Sequence, residues 1–166
     1  SLPGGCVIGR RPVDLHIKGL EALGAKVKVE GGYVIVDKPK LKPAIFSLEG
    51  PSGSSVGATC NTLMAAVFIE GRAVIHGAAK EPEVMALVDF LNEMGAKIEV
   101  QDSTITIEGV KELHGTEHTI IPDRIEAGTY MVAAAITRGD LAIKGCHLPH
   151  MEVVVSKLRE IGLEGE

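Results

Sequence analysis

Leu91-Asn92-Glu93-Met94-Gly95-Ala96-Lys97-Ile98-Glu99-Val100 is the stretch that decides the fold, because the chain contains it more than once. Leu20-Glu21-Ala22-Leu23-Gly24-Ala25-Lys26-Val27-Lys28-Val29 repeats its pattern, and a third copy begins at Leu158-Arg159-Glu160-Ile161-Gly162. The three glycines, 24, 95 and 162, are separated by 71 and 67 residues. Self-similarity at a near-constant period marks a chain built of like units. Each copy reads as the end of a helix, a glycine in the C′ position, and a strand whose residues alternate.

Working outward from Gly95 gives the whole unit. Pro82 suits the first turn of a helix, where its missing N–H costs nothing. Val84, Leu87, Val88 and Leu91 form the inner face of that helix. Upstream, Leu63, Ala66, Val67 and Ile69 lie at helical spacing, and Gly71 is expected to end their helix. Ala73-Val74-Ile75 is a short strand, and an earlier one is predicted over Ala44 to Leu48. After Val100, Asp102-Ser103 turns the chain and Thr104-Ile105-Thr106-Ile107 returns as a hairpin partner. The unit is βαβαββ, and strands alternating with helices predict an α/β (α+β) fold.

One full unit, 44–110, is flanked by two partial ones. The first, 1–37, holds a helix from Pro12 to about Leu23. A hairpin of Lys26–Glu30 and Tyr33–Val36 about Gly31-Gly32 follows it. The last ends after its second helix. Gly57-Ala58-Thr59 and Gly128-Thr129-Tyr130 open matching apolar stretches that close at Glu70-Gly71 and Arg138-Gly139. A repeat unit cannot bury its apolar face alone. The parent protein is therefore expected to be longer, and a start at Ser1 within loop-like sequence reads as a fragment.

Composition narrows the functional classes. The 166 residues are 45% hydrophobic but only 3% aromatic, so the core must be aliphatic. The net charge is −5, and no basic block exceeds Arg10-Arg11. That argues against nucleic acid as a partner. Three scattered cysteines, Cys6, Cys60 and Cys146, predict a reduced cytoplasmic chain rather than a disulfide scaffold. No apolar run approaches a membrane span, and the N-terminus does not read as a signal peptide.

Three motifs carry chemistry. In Leu2-Pro3-Gly4-Gly5-Cys6-Val7-Ile8-Gly9-Arg10-Arg11-Pro12-Val13-Asp14-Leu15-His16, a glycine-rich loop places a thiol beside two guanidiniums. Those charges favour the thiolate. Pro12 fits helix position N1, so Arg11 would project from a helix N-terminus, a natural place for anions. From the residues alone, a loop cysteine beside solvated arginines is the competing reading. Gly53-Ser54-Ser55-Val56-Gly57-Ala58-Thr59 places small residues at a helix start; it serves either an anion or as an ordinary Ser N-cap. Asp123-Arg124-Ile125-Glu126 reads as a helix cap with a capping-box-like Glu126. Cys146-His147-Leu148-Pro149-His150 lacks the second pair that a metal site needs. His16 reads as a packing residue.

The cysteine-loop motif resembles that of the UDP-N-acetylglucosamine enolpyruvyl transferase family. The likeness continues through Gly19 to Ala25, Ser55 to Thr59, Glu81-Pro82-Glu83, Phe90 to Ala96 and Ile121 to Thr129, in order along the chain. The family acting on shikimate 3-phosphate shares the repeats but not this loop. The resemblance implies an inside-out α/β barrel of βαβαββ repeats. Residues 1–118 would then end the cysteine-loop lobe, and 119–166 would begin the second.

The resemblance implies transfer of the enolpyruvyl group from phosphoenolpyruvate to the 3-hydroxyl of UDP-N-acetylglucosamine, with release of phosphate. This is the first committed step of peptidoglycan synthesis and a target of fosfomycin. It implies no cofactor and no metal. Cys6 becomes the general acid and Arg11 a catalytic, ligand-contacting residue. Arg11, Pro12, Val13, Asp14 and Leu15 help hold the UDP-sugar, together with Gly53, Ser54, Ser55 and Val56. The chain departs from the family pattern at Gly53, where a lysine is found in relatives. Other family groups fall outside the chain, so the remainder of the same enzyme is its expected partner, and the fragment alone is expected to be inactive. Two alternatives stand beside this: an excised, non-catalytic UDP-sugar-binding domain, or a transferase using another acceptor such as shikimate 3-phosphate.

Overall fold

The structure, a computed structural model, describes residues 12–37 and 40–163. The chain divides into two compact units, the first extending to His118 and the second starting at Thr119.

In the first unit, helix α1 (Asp14–Ala22) leads into a hairpin of β1 (Lys26–Glu30) and β2 (Tyr33–Asp37). Strand β3 (Ile45–Ser47) follows, then α2 (Val56–Ala66) and β4 (Arg72–His76). Helix α3 (Pro82–Glu93) precedes the hairpin β5 (Lys97–Gln101) and β6 (Thr104–Glu108). The four strands stand in the order β3-β4-β6-β5. β3 and β4 are parallel, joined through α2, and the other pairings are antiparallel. Ala73 faces Ile107 and Ile75 faces Ile105 in this register. These four are fully buried and join Leu63, Val84 and Leu91 from the helices in one aliphatic core. Arg72, Glu108, Lys97 and Glu99 alternate with them and are exposed, so helices cover one face of the sheet.

The repeat read from sequence has a common stereochemical cause. Gly24, Gly95 and Gly162 have φ of 91°, 100° and 90°. At each, the next residue's N–H reaches back to a carbonyl five residues earlier: Ala25 to Leu20, Ala96 to Leu91, Leu163 to Leu158. The glycine N–H bonds three residues back, to Glu21, Asn92 and Arg159. This is a Schellman motif made three times, and its left-handed residue is glycine because a Cβ there is strained.

Three boundaries differ from the sequence reading. α1 begins at Asp14 with Val13 as its N-cap, so Pro12 precedes the helix instead of occupying N1. α2 ends at Ala66, well before Gly71. Residues 67–71 leave the helix because they are held elsewhere: Val110 N–H bonds Val67 O at 2.8 Å and Gly109 N–H bonds Gly71 O at 2.9 Å. Gly109 lies so close that a Cβ on it would collide with the Ile69 carbonyl. The strand expected over Ala44 to Leu48 is shortened to Ile45–Ser47.

The second unit contains α4 (Arg124–Thr137), a 3₁₀ turn at Leu148–Met151 and α5 (Glu152–Glu160). α4 also ends in a Schellman arrangement, with Gly139 N–H on Ala134 O and Arg138 N–H on Ala135 O. The left-handed position, φ 51°, falls on Arg138 rather than on Gly139.

Candidate functional site

Two of the three motifs converge on helix α1 and helix α2. Leu15 packs against Gly50, where a Cβ would lie 3.2 Å from its methyl groups. His16 lies over Gly57, with its ring 3.1 Å from the position of a Cβ there. Gly19 meets Thr62 so tightly that an added Cβ would overlap the hydroxyl. Contacts advancing together along both helices mean that α1 and α2 run parallel, with their N-terminal ends side by side. Asn61 Nδ2 approaches His16 Nδ1 at 2.7 Å and fixes that ring on the helix pair. Lys18 Nζ donates to the Glu49 carbonyl at 3.0 Å, tying α1 to the loop before α2. Val13 to Leu15 and Gly53 to Val56 are thus segments of neighbouring helix starts.

Ser55 is the N-cap of α2, its Oγ accepting from Ala58 N–H at 3.3 Å. The first in-helix bond of this turn is Thr59 N–H to Ser55 O. The N–H groups of Val56 and Gly57 precede it and point out of the helix end, where a helix dipole favours negative charge. Gly53 has φ 90° and pairs with Gly50 across a tight turn at Pro51-Ser52. Cys6, Arg10 and Arg11 lie outside the described residues.

Beside Ser54 is a cleft of about 420 Å³, lined by Glu49, Ser54, Lys80, Glu81 and Ser103 with the backbone of Gly77 and Ala78. Its floor is fixed from inside. Ala78 N–H bonds Ser103 O at 2.9 Å. Ala79 N–H bonds the fully buried Thr59 Oγ1 at 3.0 Å. Gly77, at φ 63°, brings the loop onto Glu49, and a Cβ there would lie 2.8 Å from the Glu49 Cβ. Thr59 was visible in sequence only as part of a helix start. Its hint was a hydroxyl four residues before Leu63, on the inward face. Lys80 and Glu81 were not singled out as cleft residues, because a loop's partners depend on tertiary contacts.

Cys60 sits on α2, half-buried. Burial first, and then the Glu83 and Glu81 carboxylates, push its thiol above the ordinary value of 9.0. That makes it a poor nucleophile.

In the second unit, Asp123 Oδ1 accepts from Ile125 N–H at 2.8 Å and Glu126 N–H at 3.0 Å. The cap reading of this motif therefore holds, with Glu126 contributing its backbone N–H. A hollow of about 290 Å³ adjoins it, lined among others by Tyr130, Lys144 and Cys146. Cys146 Sγ donates to Ile143 O, and the His147 and His150 rings meet edge-on with centroids 4.3 Å apart. Among the described residues, no three His, Cys, Asp or Glu side chains gather as a metal would require. No helix among them is long and apolar enough to cross a membrane.

Comparison with known proteins extends this picture. The EPSP synthase (3-phosphoshikimate 1-carboxyvinyltransferase) family matches residues 1–166. UDP-N-acetylglucosamine 1-carboxyvinyltransferase 1 of Caldanaerobacter subterraneus subsp. tengcongensis is 53% identical over 165 residues, covering 99% of this chain. The corresponding enzyme 1 of Staphylococcus aureus strain MRSA252 is 51% identical over 168 residues. The chain spans 39% of the length of each of these relatives. Among solved structures, EPSP synthase from Acinetobacter baumannii superposes with a TM-score of 0.67 at 23% identity, over 96% of this chain and 36% of that one. The enolpyruvyl transferase NikO from Streptomyces tendae gives 0.65 at 24% identity, over 75% of this chain and 32% of that one. At such identities the likeness concerns the fold: mixed helices and sheets of the enolpyruvyl transferase type.

Proposed function

Because the chain belongs to the EPSP synthase family of transferases, we propose that the protein it comes from moves the enolpyruvyl group of phosphoenolpyruvate onto the 3-hydroxyl of UDP-N-acetylglucosamine. The observation that carries the choice of acceptor is identity. Relatives at 53% and 51% bear the UDP-N-acetylglucosamine name, while the compared EPSP synthase structure stands at 23%. In the reaction, the sugar hydroxyl adds to the substituted double-bond carbon while the methylene carbon takes a proton. Loss of phosphate and of one methyl proton then restores the double bond.

Cys6 is assigned as the acid that protonates the methylene carbon. Support for this assignment is the likeness of its loop, in which Cys6 is followed closely in sequence by Arg10 and Arg11. Arg11, with 12–15 and 53–56, is assigned to the UDP-sugar. Support comes from the pairing of two parallel helix starts, whose first-turn N–H groups and dipole ends favour a diphosphate. Residues 1–118 are assigned to the end of one lobe and 119–166 to the start of another, in keeping with the boundary between the compact units.

The test uses the full-length protein. Phosphate release should require both phosphoenolpyruvate and UDP-N-acetylglucosamine, and fosfomycin should add a covalent mass at Cys6. Turnover with shikimate 3-phosphate and none with UDP-N-acetylglucosamine would overturn the assignment. The chain's 39% share of its relatives favours a second statement: the isolated 166 residues bind the UDP-sugar at most weakly and do not turn over. Titration of UDP-N-acetylglucosamine against the amide signals near Ser55, with a phosphate assay in parallel, checks it.

A further inference from the structure

The segment that leaves the first unit is fastened along its length, beginning with Leu113 packed on the core. After β6 the chain crosses the C-terminal end of α3. There, His114 N–H bonds the Met94 carbonyl at 2.9 Å. The His114 ring covers Gly95, where a Cβ would lie 3.2 Å from ring atoms. Four residues on, His118 Nδ1 meets Glu93 Oε2 at 2.9 Å, and its ring lies 5.0 Å from that of Phe90. The His118 side chain is 16% exposed, unlike its neighbours Glu117 and Thr119, which are exposed. The compact unit ends at this residue.

We propose that His118, Glu93 and Phe90 form a clasp that holds residues 113–118 on α3 and fixes the point from which the connection to the second unit begins. The physical reason is that His118 is held twice, by a hydrogen bond to a carboxylate and by its ring on Phe90. Elsewhere in the segment the described polar contacts are the His114 backbone bond to Met94 and two bonds to neighbouring carbonyls, His114 Nδ1 with Gly115 O and Thr116 Oγ1 with Glu117 O. A hydrogen bond to a carboxylate is stronger than one between neutral groups, and with the ring contact it holds a short surface segment that would otherwise fray. The inference is independent of the proposed reaction, since every contact lies inside the first unit.

Amide hydrogen exchange on the 166-residue chain tests it, read at His114 to His118 with the β4–β6 amides as internal standard. In the parent sequence the strap should exchange more slowly than 119–121. Glu93→Ala and His118→Ala should each raise strap exchange by about tenfold or more while leaving β4–β6 unchanged. The double variant should be no faster than His118→Ala alone, which already removes both the bond to Glu93 and the ring contact with Phe90. Additive effects, or strap rates unchanged in both single variants, would overturn the proposal. If alanine at either position also opens β4–β6, Glu93→Met decides: it keeps the bulk of the side chain and removes the acceptor. Faster strap exchange in Glu93→Met supports the clasp, and an unchanged rate refutes it.

Discussion

Asn92 and Ile98 exchange two hydrogen bonds across the turn from α3 to β5: Asn92 Nδ2 donates to the Ile98 carbonyl and Ile98 N–H donates to Asn92 Oδ1, both at 2.9 Å. β5 is an edge strand, and an amide side chain here takes the place of a neighbouring strand's peptide. Such an occupied edge is also closed to pairing with another chain. Asn92→Ala should destabilise the first unit by about 1–3 kcal/mol, since a half-buried donor and acceptor lose their partners together. Asn92→Asp keeps the acceptor and should fall between. Urea unfolding midpoints of the three proteins give the order, and a midpoint for Asn92→Ala equal to the parent's would count against the account.

The meeting of Gly19 with Thr62 sets how closely α1 and α2 approach. Gly19→Ala places a methyl on the Thr62 hydroxyl and should cost about 1–3 kcal/mol, as overpacking in cores does. Thr62 Oγ1 is buried without a hydrogen-bond partner among the described residues. Thr62→Ala therefore removes no bond and makes room. The double variant should recover part of the loss, with a coupling of about 0.5 kcal/mol or more in a double-mutant cycle. Strict additivity would show that the two positions do not constrain each other.

Cys60 supplies a pH dependence. Its folded-state thiol lies above the ordinary 9.0, so the folded chain holds that proton more tightly than the unfolded one. Its contribution to stability is complete below pH 9 and declines as pH rises beyond it. At neutral pH, Cys60 should react with iodoacetamide more slowly than a free cysteine, and Glu83→Gln should quicken it modestly by removing one of the two carboxylates. Mass spectrometry of the peptide containing Cys60 reads both rates. Labelling as fast as a model thiol would contradict the environment described.

At the end of α4, Arg138 occupies the left-handed position that Gly24, Gly95 and Gly162 fill elsewhere. A side chain in that conformation costs roughly 1 kcal/mol. Arg138→Gly should raise the stability of the second unit by a few tenths to about 1 kcal/mol, after the greater entropy of glycine in the unfolded chain is set against it. Thermal unfolding followed by circular dichroism would detect it, and a lowered midpoint would mean that the Arg138 side chain makes a stabilising contact larger than the strain.

The repeat was legible because its signal is local. A glycine that must adopt positive φ, an alternating strand and a Pro in the first turn of α3 are all short-range constraints. The periods of 71 and 67 residues carried them to the right places. The helix end at Gly71 differs for the opposite reason. Val110 and Gly109 hold 67–71 from more than thirty positions away, and nothing near Gly71 in the sequence announces it. At the candidate site, the small-residue helix start around Ser55 was legible as a cap. The Thr59 hydroxyl under Ala79, and the cleft closed by Gly77 on Glu49, were not.

By itself the sequence determined the unit, its order of helices and strands, and the family, since these depend on residue types at fixed short spacings. Only the tertiary structure decided that α1 and α2 lie parallel, that Asn92 finishes an edge strand and that His118 clasps Glu93. Each of those depends on pairs brought together by burial of the aliphatic core, whose contacts are non-directional and leave no residue-by-residue mark of which partner will be met.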